Sequence, residues 1–87
     1  MANKRIKQER LYVGQLVVCS EHIEAQVRTV SALLDNFIVE VQWYEGDKLC
    51  AQGVDYSLLR EPTLKQIECS IAHNGPLVPM NGIALLA

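Results

Sequence analysis

The chain holds 87 residues, 49% of them apolar, with 8 Lys and Arg, 10 Asp and Glu and a net charge of −2. That length admits one domain, near the lower size at which a chain buries enough of its own apolar surface to fold, and the mild acidity argues against a protein whose whole surface grips nucleic acid. Three cysteines, Cys19, Cys50 and Cys69, cannot all pair and form no C-x-x-C motif, which argues against a disulfide framework and suits a reducing compartment.

Residues 1–12 form a basic leader. Lys4, Arg5, Lys7 and Arg10 against Glu9 give residues 1–10 a charge of +3, so the remaining chain carries −5. So short a run reads as a solubilising, partly disordered leader, with an arm that docks on phosphate as the alternative. Gly14 and Gln15 interrupt the apolar residues that follow, so neither a signal peptide nor a membrane span is expected, and the protein is placed in the cytoplasm.

Residues 16–19 are a short apolar strand, and residues 20–24 a polar loop. Residues 25–34 and 37–44 then read as a long antiparallel hairpin. Phe37, Val39, Val41 and Trp43 alternate with Glu40, Gln42 and Tyr44, the period of a strand buried on one side. Asp35-Asn36 is a suitable two-residue connection, since both residues tolerate positive φ. In the first strand the apolar phase switches from Ala25 and Val27 to Val30, Ala32 and Leu34, which predicts a bulge near Thr29. Residues 45–48 are a turn by composition, and residues 49–54 a third strand with Leu49, Ala51 and Gly53 on one side. Residues 55–59 read as a tight helical turn, and Arg60-Glu61 as a closing strand stub before Pro62.

Leu64, Ile67 and Ile71 recur at helical spacing, Thr63 and Gln66 fit a capping box, and Asn74-Gly75-Pro76 is a stop, so residues 63–73 are predicted as a helix; a strand over 64–71 is the competing reading. Residues 75–87 hold six large apolar side chains and no charge, too apolar a tail to be left in water. It packs either on its own barrel or on a second subunit, and a homo-oligomer formed through this tail is expected.

A short strand after Gly14, a polar loop, a three-strand meander, a tight turn at residues 55–58 and a closing Leu59-Arg60-Glu61-Pro62 resemble the SH3-like small β-barrel in its Tudor or KOW variety. The resemblance covers residues 13–62 and implies a mainly β fold: a five-stranded antiparallel barrel followed by a C-terminal helix over 63–74 and the apolar tail over 75–87. Tudor-like barrels cage methylated side chains with aromatic rings, for which Tyr44, Tyr56 and Tyr12 are the available candidates. Trp43 shares the buried phase and is assigned to the core, and the loop after Cys19 supplies no aromatic, so one wall of such a cage is missing. Gly53-Val54-Asp55-Tyr56 is similar in position to a motif of the plasmid-type dihydrofolate reductases, but only Tyr56 matches and no activity is implied.

Cys19 with His22, and Cys69 with His73, supply zinc-ligand types two at a time, short of a site, so no metal or cofactor is expected. The His22, Glu21 and Glu24 cluster is the only dense titratable group, and no phosphate loop, nucleophile elbow or metalloprotease signature occurs, which argues against an enzyme. Two functions follow. The first is a binding or adaptor module acting through the barrel rim, with His22, Glu24, Tyr44, Asp47, Lys48 and Tyr56 as its contact residues. The second is a small nucleic-acid binder in which Lys4, Arg5, Lys7 and Arg10 contact phosphate and exposed tyrosines stack on bases.

Overall fold

A computed structural model describes residues 3–35 and 37–78. Its strands are β1 (Leu16–Val17), β2 (Arg28–Leu33), β3 (Ile38–Glu45) and β4 (Lys48–Asp55), followed by one helix, α1 (Leu64–Asn74). The strands form an antiparallel sheet in the order β1-β2-β3-β4. The sheet is open and four-stranded, which corrects the expected five-stranded closed barrel. The predicted fifth strand contracts to Arg60, which exchanges backbone hydrogen bonds of 2.8 and 3.0 Å with Val18 and bridges to Arg5. Pro62 follows two residues later and cannot donate to a ladder, so the stub goes no further.

Val39 and Val41 of β3, Val30 of β2 and Val17 of β1 share one face and close a core with Ile6 and Leu59. Trp43, Tyr56, Leu11 and Val54 pack against this cluster. Ile6 overturns the expectation of a partly disordered leader. It is buried, as is Asn3, and Arg5 sits in a bridge, because a sheet with so short a first strand leaves its core open on that side until residues 3–6 cover it.

The bulge falls between Val30 and Ala32, leaving Ser31 out of register, two residues beyond its predicted place. The β2–β3 connection is longer than the Asp35-Asn36 turn. It runs over residues 34–37, where the Asp35 carboxylate accepts the N–H groups of Phe37 and Ile38 at 2.9 and 3.1 Å. The backbone closes the same connection, with the Ile38 carbonyl accepting the Leu34 N–H at 3.0 Å, so the Asp35 side chain adds to a backbone closure. The β3–β4 turn is the tight one, with Gly46 at φ 65° beside Asp47.

Helix α1 begins with the predicted capping box: Thr63 Oγ1 accepts from Gln66 N–H, and Gln66 Oε1 accepts from Thr63 N–H. Its orientation is unexpected. Leu64 is 70% and Ile71 46% exposed, whereas Gln66 and Ser70 are buried at 1% and 3%. The residues after the helix lie back on their own sheet, with the Val78 carbonyl accepting from Thr29 Oγ1 at 2.8 Å. The expected oligomer rests on the tail over 75–87, of which residues 79–87 lie outside the described residues. Among the described residues no helix is long and apolar enough to cross a membrane.

Candidate functional site

The N-terminal segment builds a broad concave surface. With Asn3 and Ile6 turned inward, Arg5 and Lys7 are left at the surface, and a 3-10 turn at Gln8–Arg10 brings Arg10 round to the same side. The chain then reverses at residues 12–15. Gln15 N–H donates to the Tyr12 carbonyl and its side-chain Oε1 accepts Tyr12 N–H, both at 3.2 Å, with Gly14 at φ 98°. Gly14 N–H and the Gln15 carbonyl bond Val30 at 2.8 and 2.9 Å, which ties this reversal to β2.

The result is a groove of about 590 Å³ lined by Arg5, Lys7, Arg10, Tyr12, Gln15 and Glu61, among others. Three cations face one carboxylate there. Among the described residues the one ion pair is Arg60 with Glu21 at 3.2 Å, so Lys4, Arg5, Lys7 and Arg10 form none. Tyr12 is 60% exposed beside these cations. Arg5 and Lys7 also line a second hollow of about 350 Å³ with Tyr56 and Leu59. Tyr56 in turn stacks on Phe37, with ring centroids 6.2 Å apart. The two cations thus stand between an exposed phenol and an aromatic pair. Lys4 lines neither hollow; its carbonyl accepts Glu61 N–H at 2.8 Å.

The six rim residues do not share one surface. Asp47 and Lys48 sit at the β3–β4 turn, and Tyr56 follows the far end of the same eight-residue ladder, roughly 23 Å away at 3.3 Å per residue. Tyr44 lies near the turn end, its carbonyl accepting from Gln26 Nε2 at 3.0 Å. Tyr44 and Tyr56 therefore cannot wall one cage. His22 lines a shallow depression with Cys19 and the Arg60–Glu21 pair, while Glu24 lines another with Cys69 and His73. Among the described residues no three His, Cys, Asp or Glu side chains come together as a metal site.

Asp55 carries a lowered pKa. The Ser57 N–H, at 2.9 Å from its carboxylate, and then the Ser57 hydroxyl hold it below the usual carboxylate value. This bond caps the 3-10 turn at Tyr56–Leu58 and fixes where Tyr56 emerges.

Sequence reasoning singled out the cations but missed Gln15 and Glu61 as groove walls. Gly14 was the signal, since a glycine amid apolar residues marks a reversal that folds the following side chain back onto the segment before it. Comparison with family models, with curated proteins and with solved structures yields no match to the chain, so the function rests on this geometry.

Proposed function

We propose that this chain is a small, non-catalytic binding module whose ligand is a phosphate-bearing strand, with single-stranded nucleic acid as the chemical class. The observation that carries this is the convergence of Arg5, Lys7, Arg10 and Tyr12 on one groove, with Glu61 the one carboxylate among its walls. Cations that track a backbone beside exposed rings on which bases stack are the parts sequence-tolerant binding needs. The net charge of −2 confines such contact to this face. A cytoplasmic location agrees with three free cysteines, and the strand order, with its return of Arg60 to Val18, agrees with an SH3-like relationship.

The test is fluorescence anisotropy of a labelled single-stranded oligonucleotide against salt concentration. Three phosphate contacts give a slope of log affinity against log salt of about −2, at about −0.7 per contact. Because Ile6 and Asn3 are interior residues, the charges are to be changed in place rather than the segment deleted. The Arg5→Gln, Lys7→Gln, Arg10→Gln triple variant is expected to flatten that slope, and Tyr12→Ala to weaken binding by about 1–3 kcal/mol with the slope unchanged. No binding by the unaltered chain at low salt would end this reading.

An adaptor that holds a protein or peptide is the second reading. It is favoured at one place, where Leu34, Phe37 and Leu58 are each more than half exposed around the Phe37–Tyr56 stack. Of the rim residues, Tyr56 belongs there.

A further inference from the structure

The two edges of the sheet are finished differently. At the β1 edge, Val18 is bonded to Arg60, which in turn bridges Arg5, so the short first strand is covered by its own chain. At the other edge β4 has β3 on one side and, among the described residues, no strand on the other. Its eight residues pair with β3 without a register shift, from Glu45 opposite Lys48 to Ile38 opposite Asp55. Counting from the two-residue turn, whose closing pair is hydrogen-bonded, Lys48, Cys50, Gln52 and Val54 bond inward to β3, while Leu49, Ala51 and Gly53 direct their N–H and C=O groups outward.

Bare edges are ordinarily guarded by a charge, a proline or a bulge. Residues 49–54 have none of these. Gly53 adds a second, independent observation. Its φ is not in the left-handed region, and a Cβ there would meet only Ile38 and Leu34 side chains, at 3.4 and 3.9 Å, so its own fold does not demand glycine. A glycine within a strand lacks a packing side chain, and one reason for its presence is close approach by another chain.

We propose that β4 pairs antiparallel with β4 of a second copy of this chain, about a two-fold axis through Ala51. Such an axis keeps the faces of the sheet matched, so only residues of like facing stand opposite one another. Centred on Ala51, the pairing sets Leu49, 50% exposed, against the side-chain-free Gly53 of the second copy, and Ala51 against its own equivalent. On the opposite face Cys50 stands against Gln52. The outward groups of Leu49, Ala51 and Gly53 are then satisfied by about six hydrogen bonds, two for each bonded pair. Moving the register by two residues either way is worse: one choice sets Leu49 against the Asp55 carboxylate, the other sets Gly53 against Asp47 in the turn. The occupant is a second copy because one uncharged strand supplies both the protruding leucine and the hollow that receives it.

Sedimentation and light scattering on the full chain read the state, and a second variant reads the register. The unaltered protein is expected at twice the 9.7 kDa of the chain. Ala51→Lys places two ammonium groups face to face across the axis at a solvent-exposed position, and is expected to raise the dissociation constant about tenfold or more while circular dichroism stays unchanged. Gln52→Cys, with Cys19 and Cys69 changed to Ser, sets a thiol opposite Cys50 of the second copy in a close, non-hydrogen-bonded pair. Oxidation by diamide, which takes up the two electrons and two protons, is expected to link residue 50 of one copy to residue 52 of the other, as read by peptide mapping. A monomer at millimolar concentration, a dimer unaffected by Ala51→Lys, or a dimer lost only when residues 79–87 are removed would each overturn the proposal.

Discussion

The sheet and the helix are attached to this fold by opposite chemistries. On the inner face of the sheet, Val17, Val30, Val39 and Val41 meet Ile6 and Leu59, and the cohesion is non-directional apolar burial. Helix α1 docks through Gln66 and Ser70 and turns Leu64 and Ile71 to solvent. Gln66 uses its full hydrogen-bonding capacity: Oε1 accepts from Asn3 Nδ2 at 2.6 Å and from Thr63 N–H at 3.0 Å, and Nε2 donates to the Ser20 and His22 carbonyls at 3.1 and 2.8 Å. One side chain thereby joins the N-terminal segment, the loop after β1 and the helix. Ser70 Oγ ties the far end of that loop to the helix by accepting Val27 N–H at 3.2 Å. Apolar packing tolerates adjustment, whereas a buried polar junction depends on every member being satisfied.

The largest expected effect lies on the apolar side. Leu59→Ala empties a fully buried position and is expected to cost about 2–5 kcal/mol, seen as a lower midpoint of urea unfolding with an unchanged slope. A loss below about 1 kcal/mol would mean that the six-residue cluster is not the core. Next comes the junction. Gln66→Leu keeps most of the volume but strands the Ser20 and His22 carbonyls and one donor of Asn3, at about 1–3 kcal/mol for a buried group left without a partner. Amide exchange would show whether the loss is local to α1 and residues 20–22. Uniform loss of protection with no excess at those sites would break the comparison.

This contrast explains what was legible in the sequence. Val39, Val41 and Trp43 announced their strand because burial on one face imposes a period of two, and Thr63 with Gln66 announced the helix start because capping is local chemistry. The same two cues misled at the next level. Leu64, Ile67 and Ile71 have helical spacing, so they read as the buried stripe, but a helix held by hydrogen bonds does not need one. Gln66 was legible as a cap and not as the junction, because Asn3, Ser20 and His22 are distant in sequence and no local pattern records them. The groove was half legible. Its cations stand out as a charge run, but their order depends on Ile6, a lone apolar residue in that run which sequence alone gives no reason to bury.

A smaller effect tests the exposed stripe directly. Leu64→Gln with Ile71→Gln removes the apolar side chains that helical periodicity would assign to the interface, and stability is expected to change by no more than about 0.5 kcal/mol, the usual range for surface positions. A loss of about 2 kcal/mol or more would show that this face is covered in solution.

The smallest effect concerns the point where a polar cap serves the apolar core. Asp55 accepts the Ser57 N–H, and the 3-10 turn it caps delivers Leu59 to the cluster. That bond favours the carboxylate, so the folded pKa lies below the ordinary value of 3.8. Between the two values the unfolded chain binds more protons than the folded one. The contribution of Asp55 is therefore fully present above the ordinary value and is lost as pH falls through the folded value. Asp55→Asn keeps an oxygen acceptor for Ser57 but removes the titration. The unaltered chain and the variant are expected to differ least at strongly acid pH and most near neutrality, with the gap opening as pH rises through the acid range. Parallel curves from acid to neutral pH would mean that Ser57 does not hold the carboxylate, and the path of Leu59 into the core would then owe nothing to its polar cap.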